Sequence, residues 1–303
     1  MERNQTHQAI WGQCIGDAIG RHLLNRSNAS QMWTEYSNNQ QLPFKKGRYS
    51  VYAQHSLLLV QQYQGRSVQT PQHFTNIASS KLRRNNTNTM LCRAIRNQTP
   101  FDTPDVEASI RLGPLATCFD KHDQMLQWIV PVSKLVSTHS IAVACSMLYA
   151  STCWHLAQGY PSDKAFSAVV DWSEQHLVDE KIWWAHQQCR WILENGFQTA
   201  DMIDFLNSFL ETDHLTAPSS QQALSIVPLV LFHATQNDFV SSLQHCIGIG
   251  GEMDLIVGMT GCLAALQSDI PDWLAEPFAA DSLLKNYPIQ STTSSAGPQF
   301  KLF

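Results

Sequence analysis

The chain has 303 residues, 44% of them hydrophobic and 15% charged, with a formal net charge of −5. That is ample material for one sizeable core, and the acidic balance excludes a general nucleic-acid binder, which is basic as a domain. Eight cysteines stand singly with no CxxC pair, and the polar start, Met1-Glu2-Arg3-Asn4-Gln5, lacks the apolar core of a signal peptide; both features predict a reducing, cytoplasmic setting.

Apolar residues recur at helical spacing and strand-like alternation is almost absent. The expected fold is therefore all-α, a single-domain helical bundle over residues 1–288 with a flexible tail over 289–303. The first helix is expected over 8–24 and carries Gly12, Gly16 and Gly20, each four residues apart. Glycine costs about 1 kcal/mol against alanine inside a helix, so three on one face imply that another helix or a ligand comes very close. Further helices are expected over 51–64, 73–84, 90–97 and 125–129.

A central helix should begin after Pro131, near Ser133, and end at Gly159-Tyr160-Pro161, a strong stop signal. Residues 135–162 hold no Asp, Glu, Lys or Arg, but Ser, Thr, His and Gln interrupt them. A membrane span wants about 20 predominantly apolar residues, so a buried helix is expected and no membrane. Helices over 164–171, 177–195, 201–209, 220–233 (kinked at Pro228), 238–246 and 254–267 complete the bundle. The last segment is polar and small from Gln290 to Pro298, then ends Phe300-Lys301-Leu302-Phe303. It reads either as a frayed terminus or as a short docking motif on a tether.

Four stretches carry a resemblance. They are Gly12-Gln-Cys-Ile-Gly-Asp-Ala-Ile-Gly20; Tyr49-Ser-Val-Tyr-Ala-Gln54 before Leu57-Leu58-Leu59; Ser109-Ile-Arg-Leu-Gly-Pro-Leu-Ala116 followed by Thr138-His139; and Ile249-Gly-Gly-Glu-Met-Asp-Leu255 with Gly258, Gly261 and Ile270-Pro271. In order and spacing they resemble the G-x-x-x-G-D-A-x-G, T-D-D-T-Q, M-R-x-x-P-L…T-H and G-G-D-T-D-T motifs of the ADP-ribosylglycohydrolase family. The resemblance covers residues 8 to about 275. It implies an all-α bundle holding two Mg²⁺ or Mn²⁺ ions, hard cations that need several oxygen ligands, in a cleft where ADP-ribose is released from a modified side chain or a related acceptor.

The carry-over departs from that pattern where the metals would sit. Ser50, Val51, Tyr52 and Ala53 stand at T-D-D-T, so both carboxylates are replaced. At G-G-D-T-D-T, Glu252 and Asp254 keep carboxylates, while Met253 and Leu255 replace both threonines. In place of the family's Gly/Asn-rich substrate loop stands Asp105-Val106-Glu107, whose charge opposes a pyrophosphate. Two-metal catalysis is thus expected to be lost, leaving at most one weak Mg²⁺ or Mn²⁺ on Asp254 and Glu252 with Ser50. Against that, both acids are read as caps of their helix, since anions favour a helix N-terminus.

No catalytic residue is assigned; the candidates are Asp17, Glu252 and Asp254. Ser50, His139, Gly250 and Gly251 are candidate ligand-binding positions, with His139 also read as a hydrogen-bonded core histidine. The basic cluster Lys81, Arg83, Arg84, Arg93 and Arg96 is either a solvated face or a docking site for an acidic protein or phosphate. Trp172, Trp183, Trp184 and Trp191 are core or interface residues. The expected function is non-catalytic: a binding or regulatory protein with a protein partner, and ADP-ribose or a related nucleotide as a further ligand. The alternative is a divergent hydrolase of an ADP-ribosyl N- or O-glycosidic bond that uses one metal or none, with Asp17, Glu252 or Asp254 as acid/base. A third reading is a structural protein that self-associates through the tryptophan segment.

Overall fold

A computed structural model describes residues 4–44, 47–64, 89–177, 182–183, 187, 191, 223–234 and 238–289. Among them all regular structure is helical, apart from one isolated parallel bridge between Phe101 and Ser137. In chain order the helices are α1 (Gln5–Leu23), α2 (Ala29–Asn39), α3 (Val51–Gln64), α4 (Met90–Asn97), α5 (Glu107–Ile110), α6 (Gly113–Ala116), α7 (His122–Lys134), α8 (Ser140–Ala157), α9 (Ser162–His176), α10 (Ala223–Ala234), α11 (Phe239–Ile249), α12 (Met253–Gln267) and α13 (Asp272–Ala275).

The glycines of α1 meet the backbone of α12. A Cβ on Gly12 would lie 2.1 Å from the Gly261 carbonyl oxygen, one on Gly16 2.2 Å from that of Val257, and one on Gly20 2.1 Å from that of Met253. The fit is reciprocal, since a Cβ on Gly261 would lie 2.3 Å from the Gly12 oxygen. The close approach expected from the glycine spacing is therefore made by a helix, and only residues without a side chain permit it. The far end of the chain is fastened to α1 as well. Trp11 Nε1 donates to the Tyr287 carbonyl at 2.5 Å and His7 Nδ1 bonds that of Pro288 at 2.9 Å.

Helix α8 is the other axis, with α5, α6, α7, α9, α10 and α12 packed around it. By length and composition alone α8 is long and apolar enough to cross a membrane, but 67% of it is buried inside the protein. Its start differs from the expected one near Ser133. Pro131 stays inside α7, which runs to Lys134. The chain then extends, with the Phe101 N–H on the Val136 carbonyl (2.9 Å) and the Thr138 N–H on that of Phe101 (2.8 Å), before α8 begins at Ser140. The short bridge satisfies the backbone that the helix break would otherwise leave bare, so the boundary falls after the proline rather than at it.

Helix α2 was not expected. Its sequence is rich in Ser, Asn and Gln, and it is held by Trp33, which is buried and packs against Trp273 with ring centroids 6.2 Å apart. Tertiary burial overrides weak propensity here. The helices expected over 73–84 and 201–209, most of that over 177–195, and the tail from residue 290 onward lie outside the described residues, as do Lys81, Arg83, Arg84 and Trp184. Within the described residues no cysteine is in a disulfide.

Replacing Gly16 by alanine should destabilise the protein by about 1–3 kcal/mol or more, because neither backbone can move aside. Gly248→Ala, whose Cβ would meet only Ser30 Oγ at 3.9 Å, should be neutral or stabilising. Urea unfolding of the two variants beside the wild type checks the pair.

Candidate functional site

The first turn of α3 is built on a side chain from α1. Asp17 is wholly buried; its Oδ1 accepts from the Ser50 N–H at 2.8 Å, and its Oδ2 from the Ser50 hydroxyl at 2.6 Å and the Ala53 N–H at 3.3 Å. Ser50 Oγ accepts in turn from the Tyr52 N–H at 3.1 Å. Four free N–H groups open any helix, and here a serine cap and an acid from a second helix answer them. Burial pushes the Asp17 carboxyl up to about 7, against the pull of those hydrogen bonds, and neighbouring Asp254 adds to the rise.

A second buried acid does the same for α4. Thr89 Oγ1 accepts from the Cys92 N–H at 3.2 Å, and Glu107 Oε2 accepts from the Leu91 N–H at 2.6 Å. Burial is the main reason that Glu107 is pushed up to about 7; bonds from Leu91, Tyr52 and Met90 oppose it, while Asp105 assists. The acid that would oppose a pyrophosphate thus points inward and holds a helix end.

Tyr52 joins these groups. It is buried, and Glu107 lies close enough to its phenol to act on it. Burial raises its pKa far above the usual phenol range, and Glu107, Asp254 and Glu252 raise it further. Asp17, Ser50, Tyr52, Glu107, Glu252 and Asp254 therefore share one region, brought together from α1, α3, α5 and the start of α12. Met253 and Leu255, which stand at the two threonine positions, are buried in the core.

Asp254 sits in the first turn of α12, half-buried, and its Oδ1 accepts from the Leu255 N–H at 3.1 Å. Burial raises its pKa, while that bond and the charge of Arg21 pull it down. Glu252 stands at the cap position but makes no side-chain cap bond, so the expected double cap reduces to Asp254 alone. Gly250 and Gly251 both have φ of 81°, and a Cβ on Gly250 would meet nothing within 4 Å. A left-handed backbone, not a crowded neighbour, calls for glycine there.

His139 is half-buried rather than in the core, and its Nδ1 caps α8 by accepting from the Ile141 N–H at 3.3 Å. Arg111, from the M-R-like stretch, is wholly buried and donates through Nη2 to the Val132 carbonyl near the end of α7; burial lowers it to about 9. Of the basic cluster only Arg93 and Arg96 are described. Both are exposed on α4, with the Arg93 guanidinium 4.8 Å above the Phe101 ring and Arg96 Nε donating to the Cys92 carbonyl. Among the described residues no three His, Cys, Asp or Glu side chains are arranged to hold a metal ion.

The sequence model of the ADP-ribosylglycohydrolase family matches residues 2–287, nearly the whole chain. The chain belongs to the ADP-ribosylglycohydrolase family. No curated protein sequence matches it. A solved structure described as "ADP-ribosylglycohydrolase-related protein complex" shares the fold, with a TM-score of 0.67 and 15% identity, covering 95% of this chain and 96% of that one. At this position in an ADP-ribosylglycohydrolase fold, the substitution of Val51 and Tyr52 was legible in the sequence. The meeting of Tyr52 with Glu107 was not, because no local spacing connects α3 to α5.

Asp17→Asn should lower stability by about 1–3 kcal/mol, since it leaves buried donors poorly answered. The folded pKa of Asp17 lies above the unfolded one, so its stabilising contribution is complete below about pH 4 and is lost as pH rises through about 7. Compared with the variant, the wild type should lose stability across that window. Urea midpoints measured from pH 4 to 8 check both the size and the sign.

Proposed function

We propose that this member of the ADP-ribosylglycohydrolase family is a non-catalytic binding or regulatory protein. The observation that carries the reading is Tyr52, buried among the acids Glu107, Asp254 and Glu252. Its ring occupies the region where the family's resemblance implies metal-ligating carboxylates.

The donor set fits two divalent cations poorly. Such a centre needs several hard oxygen ligands, and Val51 offers none. The Ser50 hydroxyl gives its proton to Asp17 and accepts from the Tyr52 N–H. Asp17 itself is engaged by three donors. What remains is Asp254 with Glu252, enough for at most one weakly held Mg²⁺ or Mn²⁺. The partner we propose is a protein, met on exposed surface such as Arg93 and Arg96 on α4 and the exposed ring of Trp191. Aromatic and arginine side chains are the residue types enriched at binding hot spots.

The test is calorimetric titration of ADP-ribose with and without Mg²⁺ or Mn²⁺, beside an assay for ADP-ribose release from a modified protein. The expected outcome is no metal-dependent binding and no release above background. Metal-dependent release that disappears in Asp254→Ala would sink the proposal in favour of a divergent hydrolase.

A further inference from the structure

A pocket of about 320 Å³ opens beside the C-terminal half of α1, lined by Ala18, Arg21, His22, Phe44 and Arg48. Among the described residues its lining contains two guanidiniums, an imidazole and an aromatic ring, and no carboxylate, on a chain whose net charge is −5. Arg26 stands close enough to depress the pKa of His22, after burial as the larger cause. Arg21 also acts on Asp254, whose pKa its charge pulls down. Among the described residues neither Arg21 nor Arg48 forms an ion pair within 4 Å.

The walls are fixed. Gly47 donates its N–H to the Pro277 carbonyl at 2.8 Å, and a Cβ on it would lie 2.1 Å from the Phe278 ring. Phe44 stands edge-on to Phe278, with centroids 6.3 Å apart at 90°. It also meets the His22 ring at 5.7 Å and 62°, and His22 Nε2 lies 3.4 Å from the Tyr36 hydroxyl. The loop bearing Phe44 and Arg48 is thereby anchored to the segment after α13, while Arg21 and His22 project from the rigid joint of α1 with α12. Ala18 makes a shallow floor.

We infer that this pocket binds a small phosphate monoester of a planar ring, with Arg21 and Arg48 on the phosphate and Phe44 beside the ring. Guanidiniums match phosphate oxygens in paired hydrogen bonds, and two of them without a carboxylate favour a dianion over a monoanion. The volume is at the lower end of small-molecule sites, about 300–1,000 Å³, which suits one ring and one phosphate rather than an extended dinucleotide. The pocket adjoins the region of Tyr52 and Glu107 through Arg21 and Asp254, but its lining shares no residue with that region, and the inference does not depend on whether that region turns over ADP-ribose.

Phenyl phosphate, inorganic phosphate and phenol serve as probes, titrated into the full chain by calorimetry at constant ionic strength. Phenyl phosphate is expected to bind saturably and more tightly than inorganic phosphate, and phenol not at all. Arg48→Gln should weaken both phosphates by about ten-fold or more, equivalent to about 1.4 kcal/mol. Phe44→Ala should weaken phenyl phosphate while leaving inorganic phosphate nearly unchanged. Both side chains are at least partly exposed, and unchanged thermal melts will certify that the variants are folded. Absence of saturable phosphate binding overturns the inference, as does binding that survives the double variant Arg21→Gln/Arg48→Gln. Either failure leaves the non-catalytic reading standing, because none of the probes carries an ADP-ribosyl bond.

Discussion

Backbone touching backbone between α1 and α12 is the constraint from which the remaining structure follows. Gly12, Gly16 and Gly20 lie against the carbonyls of Gly261, Val257 and Met253, so the two helices run closer than any pair separated by side chains. That closeness sets Asp17 under Ser50 and brings Asp254 near it. It also puts Arg21 at the mouth of the pocket that Phe44 and Arg48 complete. Around this joint α8 gathers the other helices, and the site region is simply where the ends of α3, α5 and α12 converge.

The buried charges have a common use. Asp17 answers the N–H groups that open α3, Glu107 those that open α4, and Arg111 a carbonyl near the close of α7. Each places its sign where the helix dipole favours it. Since a buried ion is tolerated only with good partners, these residues are held in place by folding whether or not any chemistry is done. An acid at these positions is therefore weak evidence for catalysis by itself.

Reading the sequence reached the parts that are local or repeated. The glycine spacing announced a close helix contact, and the periodicity located α3, α4, α11 and α12 to within a few residues. It failed where distant burial decides. Trp33 turns a polar run into α2, and the bridge from Phe101 carries α7 past Pro131. The same holds for the site: the loss of carboxylates at Val51 and Tyr52 is visible in the chain. That Asp17 is a cap for α3, His139 a cap for α8 and Glu107 a partner of Tyr52 depends on contacts between segments far apart in sequence.

The joint of α1 with α12 also has a history in time. Helix α1 is synthesised well before its partner α12, and before Tyr287, which receives the Trp11 bond across 276 residues. Chains grow at roughly 5–20 residues per second, so α1 waits on the order of ten seconds or more for the surface that its glycines fit. During that wait three glycines make it a poor helix on its own. The joint can therefore close only after α12 has been made, however early α1 leaves the ribosome.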